Sequence, residues 1–321
     1  INKALMGGNG QKNKMHPLIQ KLTVGIPVYN DHRFLRSAVI SCKDQAAQVL
    51  IYDNASTDGT SDVAAALAAE FPNVIHVRHP ENLGAFENFK RLLFACQTEY
   101  FCWFGAHDVL SDGYSLLLLG ALEKDKAVSL AAGTVQHIDE DTKNLQKTRW
   151  DWANKSKEGR PIERVAACVT YMRGDCSVFY GIYRTALARE IWVDTPCLGF
   201  DRILAVRAAA FGKIIYVPEA VFYFRDFTVS RDSKKDQDRR TLELSRDQKK
   251  PLPRNLLIRN LSMVQTVLAQ VKEPEDLSIA LHAIHAINRR YQSKRHFQRQ
   301  RLIKIIGGVL LTGAFILALV Y

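Results

Sequence analysis

The run Leu50-Ile51-Tyr52-Asp53-Asn54-Ala55-Ser56-Thr57-Asp58-Gly59-Thr60 constrains this chain more than any other, because an apolar strand ends there on a carboxylate and turns at once into a helix. Strand ends of this kind are where α/β proteins bind nucleotides. The segment before it, Leu22-Thr23-Val24-Gly25-Ile26-Pro27-Val28-Tyr29-Asn30, repeats the design, as a short apolar strand expected to stop at a proline that has no N–H for a central ladder. A helical stretch from about Phe34 to Cys42 joins the two. Such a succession is a right-handed parallel crossover, so both loops open at one sheet edge and a ligand belongs between them.

Asp58 to Phe71 is alanine-rich with helical spacing, and Val74 to Val77 supplies a third strand. The loop Pro80-Glu81-Asn82-Leu83-Gly84 then precedes a helix running to about Cys96. Tyr100 to Phe104 is an aromatic strand that runs into Gly105-Ala106-His107-Asp108. Further strands are expected at Val128 to Val135, Phe179 to Arg184 and Ala220 to Phe224. Gly199-Phe200-Asp201-Arg202 opens a helix to about Phe211, with Gly212 expected to end it by a left-handed cap. In the polar stretch from Gln136 to Pro161, Trp150 and Trp152 are open to two readings, stacking on a sugar face or covering the edge of the core.

Taken in order, these motifs resemble the family 2 glycosyltransferases, nucleotide-sugar enzymes of the GT-A fold. The resemblance rests on Pro27-Val28-Tyr29-Asn30, on Asp53 to Thr60, on Asn82 to Asn88, on Trp103 to Asp108, and on Gly199-Phe200-Asp201 with Pro218-Glu219 and Phe224-Arg225 behind it. It implies an α/β fold with a mostly parallel central sheet flanked by helices. It also implies Mg²⁺ or Mn²⁺ on the donor diphosphate, whose negative charge grows as the glycosidic bond breaks. Asp108 is the implied metal ligand, with Ala106 standing where a first acid is often found. Asp201 is the implied general base for an inverting single displacement, with Phe200 in place of the family's usual Glu.

Around the donor, a carboxylate at a strand end accepts the ring N–H of uracil, guanine or thymine, and Asp53 is the candidate beside Pro27, Asn30 and Asn54. The alternative for Asp53 is a turn-forming aspartate bonded to the backbone ahead. Tyr29 either stacks on the base or packs on the sheet, while Asp58 reads as structural, closing the turn before Gly59. Gly84 lets backbone approach the ribose or pyrophosphate and Asn88 offers its amide, or both belong to an ordinary helix start. Arg225 either grips the diphosphate through its guanidinium or pairs with Asp226 on the surface, with Arg231 close by in the chain.

The chain has 321 residues, 47% hydrophobic, enough for a full core, and its net charge of +11 is unevenly placed. Arg289, Arg290, Lys294, Arg295, Arg299, Arg301 and Lys304 form an acid-free run that points to anionic lipid headgroups rather than a nucleic-acid groove. Ile305 to Tyr321 then carries no charge, at the short end of the ~17–25 residues of a spanning helix. The positive-inside rule puts the basic flank, and the domain before it, on the cytoplasmic side of an inner membrane. Six cysteines without Cys-x-x-Cys spacing read as reduced core thiols. The expected organisation is an extension over residues 1–20 without a secretory signal and a catalytic domain over 21–232, with its nucleotide half at 21–110 and its acceptor half at 111–232. A charged linker with two amphipathic helices follows over 233–301, and an anchor over 302–321. Those two helices, Leu256 to Val271 and Leu277 to Tyr291, either lead down to the bilayer or pack on the core.

The reading that follows is an inverting glycosyltransferase that moves a sugar from a UDP-, GDP- or dTDP-linked donor to a glycan or lipid-linked acceptor, in cell-surface polysaccharide or glycoconjugate synthesis. The Ala106 departure keeps a catalytically degenerate, sugar-nucleotide-binding partner of another transferase as the alternative. A dinucleotide-dependent dehydrogenase is disfavoured, since no Gly-x-Gly-x-x-Gly follows either early strand.

Overall fold

The computed structural model describes residues 15–148, 158–172, 176–227 and 256–289. Expectations for the first fourteen residues, Trp150, Trp152, Arg231, the charged stretch to Lys250 and the chain after Arg289, apolar tail included, lie outside them.

The described strands form one mixed nine-stranded sheet. Its first half is parallel: β1 (Leu22–Val28) lies between β2 (Gln48–Asp53) and β4 (Tyr100–Trp103), and β3 (Val74–Arg78) flanks β2. These strands are apolar almost end to end because helices cover both faces. Val24, Ile26, Val49, Ile51, Phe101 and Trp103 are all inaccessible to solvent. The crossovers are α1 (His32–Cys42), α2 (Thr60–Glu70) and α3 (Ala85–Ala95), so the loops after β1, β2, β3 and β4 share one edge.

The second half joins through β8 (Ile182–Arg184), antiparallel to both β4 and β6 (Val128–Ile138). Beyond β6 lies β9 (Lys213–Arg225), and the short β5 (Val109–Leu110) closes the edge, while β7 (Asn144–Thr148) folds back on β6. Helices α4 (Tyr114–Lys124), α5 (Pro161–Tyr171), α6 (Thr185–Glu190) and α7 (Phe200–Phe211) pack around this half. The final two, α8 (Leu256–Leu268) and α9 (Asp276–Arg289), form a hairpin that shares the same core.

That hairpin resolves the two readings of the amphipathic helices. Met263, Val264 and Val267 of α8 and Ala280, Ala283, Ile284 and Ile287 of α9 are buried in the core cluster. Asp276 is buried against Arg160 at 2.7 Å, tying α9 to the start of α5. The described hairpin therefore packs on the core, and no helix among the described residues is long and apolar enough to cross a membrane.

Four local expectations are corrected. Pro27 does not stop β1, because beyond Gly25 the strand pairs with β2 alone and a missing N–H costs least on such an edge. Gly212 is extended, with φ −169°, not left-handed; it leads straight into β9, and a Cβ there would lie 2.5 Å from the Ala127 carbonyl oxygen. β9 starts at Lys213, not Ala220, because a bulge around Pro218 to Ala220 shifts its register on β6 and disguises one long strand as a turn and a short one. Phe179 and Tyr180 likewise belong to a 3₁₀ turn (Ser177–Tyr180) ahead of β8. All six cysteines are buried and unbridged.

Candidate functional site

The strand tips are stapled to one another by short polar side chains. Asn30, held at φ 52°, donates its N–H to Ser56 Oγ at 2.9 Å and accepts the Thr57 N–H on its Oδ1 at 2.8 Å. The Asp31 N–H donates to Thr60 Oγ1 at 2.9 Å, so the loops after β1 and β2 form one unit. Asn54 extends it: its Nδ2 donates to Asn82 Oδ1 and its Oδ1 accepts the Leu83 N–H, both at 2.8 Å. Gly84 starts α3 at φ 80°, a backbone that suits glycine, with its N–H on Asn82 Oδ1 at 2.8 Å. Asn88 is buried one turn in, where it donates to the Tyr52 carbonyl at 2.9 Å and meets His79 Nε2 at 3.1 Å. Its amide thus braces the loop from within.

Asp53 stands at the end of β2, in register with Val28, and is fully buried. Its Oδ1 accepts the Ser56 N–H at 2.9 Å, the turn-forming bond of the alternative reading, while its Oδ2 takes the Ser61 hydroxyl and lies 3.7 Å from Arg78 Nε. Tyr29 at the tip of β1 is 39% exposed, which leaves its ring at the surface beside this loop rather than under the sheet. Asp58 is structural, as read: it accepts the Thr60 N–H at 3.0 Å and meets His32 Nδ1 at 2.9 Å. Desolvation tends to raise its pKa, but the bonds from His32 and Thr60 win and hold it at about 2.

Beyond β4 the chain places Asp108 in a second cluster. The carboxylate is fully buried, and a Cβ at Gly105 would overlap its Oδ2, so the loop closes on it only because glycine stands there. Oδ1 accepts the Arg225 N–H at 2.9 Å, whereas Oδ2 has no hydrogen-bond partner. His107 bridges two acids, with Nδ1 2.7 Å from Asp31 Oδ2 and Nε2 4.0 Å from Asp108 Oδ1. Burial pushes the Asp108 carboxyl up, against the pull of His107 and Arg225. For His107, desolvation favours the neutral ring but is outweighed by Asp108 and Asp31, which raise its pKa.

Arg225 is buried and turned inward. Its Nε donates to the His107 carbonyl at 2.8 Å, its Nη1 to those of Asp139 and Glu140 at 2.8 and 3.0 Å, and the guanidinium lies 4.4 Å over the Phe34 ring. Neither sequence reading of Arg225, the diphosphate grip or the surface pair with Asp226, anticipates this clamp on the Asp108 loop.

Asp201 stands in the first turn of α7. Its neighbour Phe200 packs its ring 5.3 Å from Phe86, in the first turn of α3, and 5.7 Å from Phe179. The first turns of α3 and α7 are thereby adjacent. Burial raises the Asp201 pKa, while Arg202, its N–H, Arg259 and the Cys176 thiol act to lower it. A carboxylate poised in this way suits proton abstraction.

Asp31, His107, Ser61 and Arg259 are site residues that sequence reading did not single out. Asp31 and His107 stand next to motif residues, and their separate loops gave no sign that they meet. Arg259 lies in a helix with no motif at all.

The glycosyl transferase family 2 model matches residues 23–192, more than half of the chain. Among solved structures, S. aureus TarS 1-349 shares 14% identity, with 89% of this chain and 79% of that one covered, at a TM-score of 0.59. The same protein in complex with UDP-GlcNAc shares 13% identity over 83% and 80% of the two chains, at a TM-score of 0.50. These likenesses show a GT-A-like fold. No curated protein matches the chain.

Proposed function

The chain belongs to glycosyl transferase family 2 and is a nucleotide-sugar-dependent glycosyltransferase, and from that premise we propose that it inverts the anomeric centre as it moves a sugar from a UDP-, GDP- or dTDP-linked donor to a hydroxyl of a glycan or lipid-linked acceptor. What supports this reading is the family match together with two carboxylates, Asp108 after β4 and Asp201 in the first turn of α7, whose pKa values burial raises. Asp201 takes the acceptor proton while that oxygen attacks the anomeric carbon opposite the diphosphate. Asn30, Asn54 and Asn88 shape the donor loops, Pro27 and Gly84 let backbone approach, Tyr29 offers an exposed ring face to the base, and Asp53 organises the turn that receives it.

A divalent cation fits the cluster in one respect: Asp108 Oδ2 is an acceptor without a partner in a buried carboxylate. Among the described residues no three His, Cys, Asp or Glu side chains gather to hold a metal. A Mg²⁺ or Mn²⁺ ion would be held by Asp108 and by donor phosphate oxygens and water, which is an ordinary arrangement for Mg²⁺. Such an ion would neutralise the departing diphosphate. His107 and Arg225 hold the Asp108 loop in either case.

The acid-free basic run after Arg289 and the uncharged segment behind it support placement on the cytoplasmic face of a membrane, where a lipid-linked acceptor would be met. The deciding experiment is nucleoside diphosphate release, with donors screened by metal-dependent thermal stabilisation, for wild type and Asp201→Asn. Turnover should drop by ~10²- to 10⁴-fold with donor binding intact. Equal turnover by the Asn variant removes Asp201 as the base.

A further inference from the structure

Arg259 projects from the C-terminal hairpin into the start of α7. It is buried, and its side chain lies across Gly199: a Cβ built there would sit 2.7 Å from Arg259 Cδ and 2.9 Å from Nη1. Gly199 also holds φ 89°, so the backbone and the guanidinium both demand glycine at the position that begins α7. Asp201 follows two residues later. A buried arginine is a poor way to fill a core, since an apolar side chain of similar volume avoids the desolvation of the charge. Asp201, two residues beyond Gly199, lies within its electrostatic reach.

We infer that Arg259 is a positioning residue for the acceptor base, set beside the start of α7 by the hairpin so that the Asp201 carboxylate is held as the anion that receives the acceptor proton. The inference rests on the reading of Asp201 as the base. Around Asp201 stand Arg202 on its own helix, Arg259 from α8, Cys176 ahead of the 3₁₀ turn, Cys197 before α7 and Tyr183 from β8. The two guanidinium charges favour the anion. The thiol of Cys197 and the phenol of Tyr183 are both pushed up by burial and stay neutral near pH 7. The pull is mutual, for Arg259 itself is brought down to about 10 by burial and by Arg202, with Asp201 acting against both.

In the transfer, the acceptor O–H bond breaks and its proton passes to Asp201. The freed oxygen bonds the anomeric carbon, and the bond to the diphosphate breaks with its electron pair leaving on the diphosphate. A base already protonated cannot take part. Burial alone works against Asp201 in this respect, and Arg259 offsets it from an element outside the family match.

The test is the pH dependence of kcat/KM for nucleoside diphosphate release by the full chain, in wild type, Arg259→Lys and the neutral series Arg259→Gln, Arg259→Met and Arg259→Leu, each with a thermal melt. In the folded neutral variants the acid limb should move up by about one pH unit or more, as expected when an opposite charge is withdrawn from a carboxylate. At a pH below the wild-type limb this is a roughly tenfold loss, recovered at high pH. Arg259→Lys should keep the limb within a few tenths of a unit. A loss equal at every pH, an unmoved limb, or the failure of every neutral variant to fold makes Arg259 structural and overturns the inference. Asp201→Asn run alongside separates the two ideas: an active Asn variant removes the base itself, whereas an inactive one beside unmoved Arg259 limbs removes only the role of Arg259.

Discussion

Arg225→Lys separates a clamp from a diphosphate ligand. The guanidinium reaches three carbonyl oxygens, those of His107, Asp139 and Glu140, at 2.8–3.0 Å, and covers the Phe34 ring at 4.4 Å. A lysine ammonium is a single point and can serve about one of those carbonyls well, so two charge-assisted bonds of ~1.5–3 kcal/mol each are put at risk. The ring contact adds ~0.5–2 kcal/mol. Water entering the gap returns part of this, which leaves a net destabilisation of ~2–4 kcal/mol. At ~2–4 °C per kcal/mol for a domain of this size, the melting temperature should fall by roughly 5–15 °C. The backbone N–H of Arg225 on Asp108 survives the change, so donor affinity should drop only modestly once the protein is folded. Differential scanning calorimetry and donor titration, run on one preparation, measure both. A variant that melts within about a degree of wild type yet binds donor more than tenfold more weakly would refute the clamp and restore the diphosphate contact.

Asp108→Asn should abolish metal-dependent stabilisation by donor, read by thermal shift with and without chelator. Because burial raises the folded pKa of Asp108, its contribution is fully present below the unfolded value near ~4 and is lost as pH rises through the folded one. The donor-free Asn variant should therefore gain on wild type as pH rises, and parallel melting curves from pH 4 to 8 would contradict this. Asp58 has the opposite sign: held at about 2, it stabilises above the unfolded value and loses this as pH falls toward 2, so in urea titrations Asp58→Asn should flatten the acid limb. Asn54→Ala strands the buried Leu83 N–H and takes one of two donors from Asn82 Oδ1, and should cost ~1–3 kcal/mol in chemical denaturation with the largest loss of hydrogen-exchange protection near Leu83 and Gly84.

The parallel half of the fold was legible because its strands are buried on both faces and end on turn chemistry, so Leu22 to Asn30 and Leu50 to Thr60 announce period, direction and loop together. β9 was half legible, since Pro218 and Glu219 look like a turn when they are a bulge in one strand. For the site, the motif aspartates Asp53, Asp108 and Asp201 were visible, but what closes around them was not. Asp53 is closed on Ser56 and Ser61, a result of the three-dimensional turn that no spacing rule separates from an open carboxylate. Arg225 followed an apolar strand and read as a diphosphate ligand or as the partner of Asp226, because the carbonyls that capture it come from the loops after β4 and β6.

The departure at Ala106 gains a physical sense from the same geometry. A second acid at 106 would add negative charge next to a fully buried carboxylate, one of whose oxygens already lacks a partner. Such charge is tolerated only with compensating cations or a bound metal. Here the compensation is built in from three sides, by the Arg225 backbone N–H, by the guanidinium on the His107 carbonyl, and by His107, whose ring is drawn toward the charged form by Asp31 and Asp108. A loop with one acid beside a histidine drawn toward its charged form needs less from a metal to stay folded than a two-acid loop does. The chain should therefore keep the Asp108 loop ordered without an ion and take one up only with the donor phosphates, so that metal and donor bind as a unit, each tightening the other by the same factor.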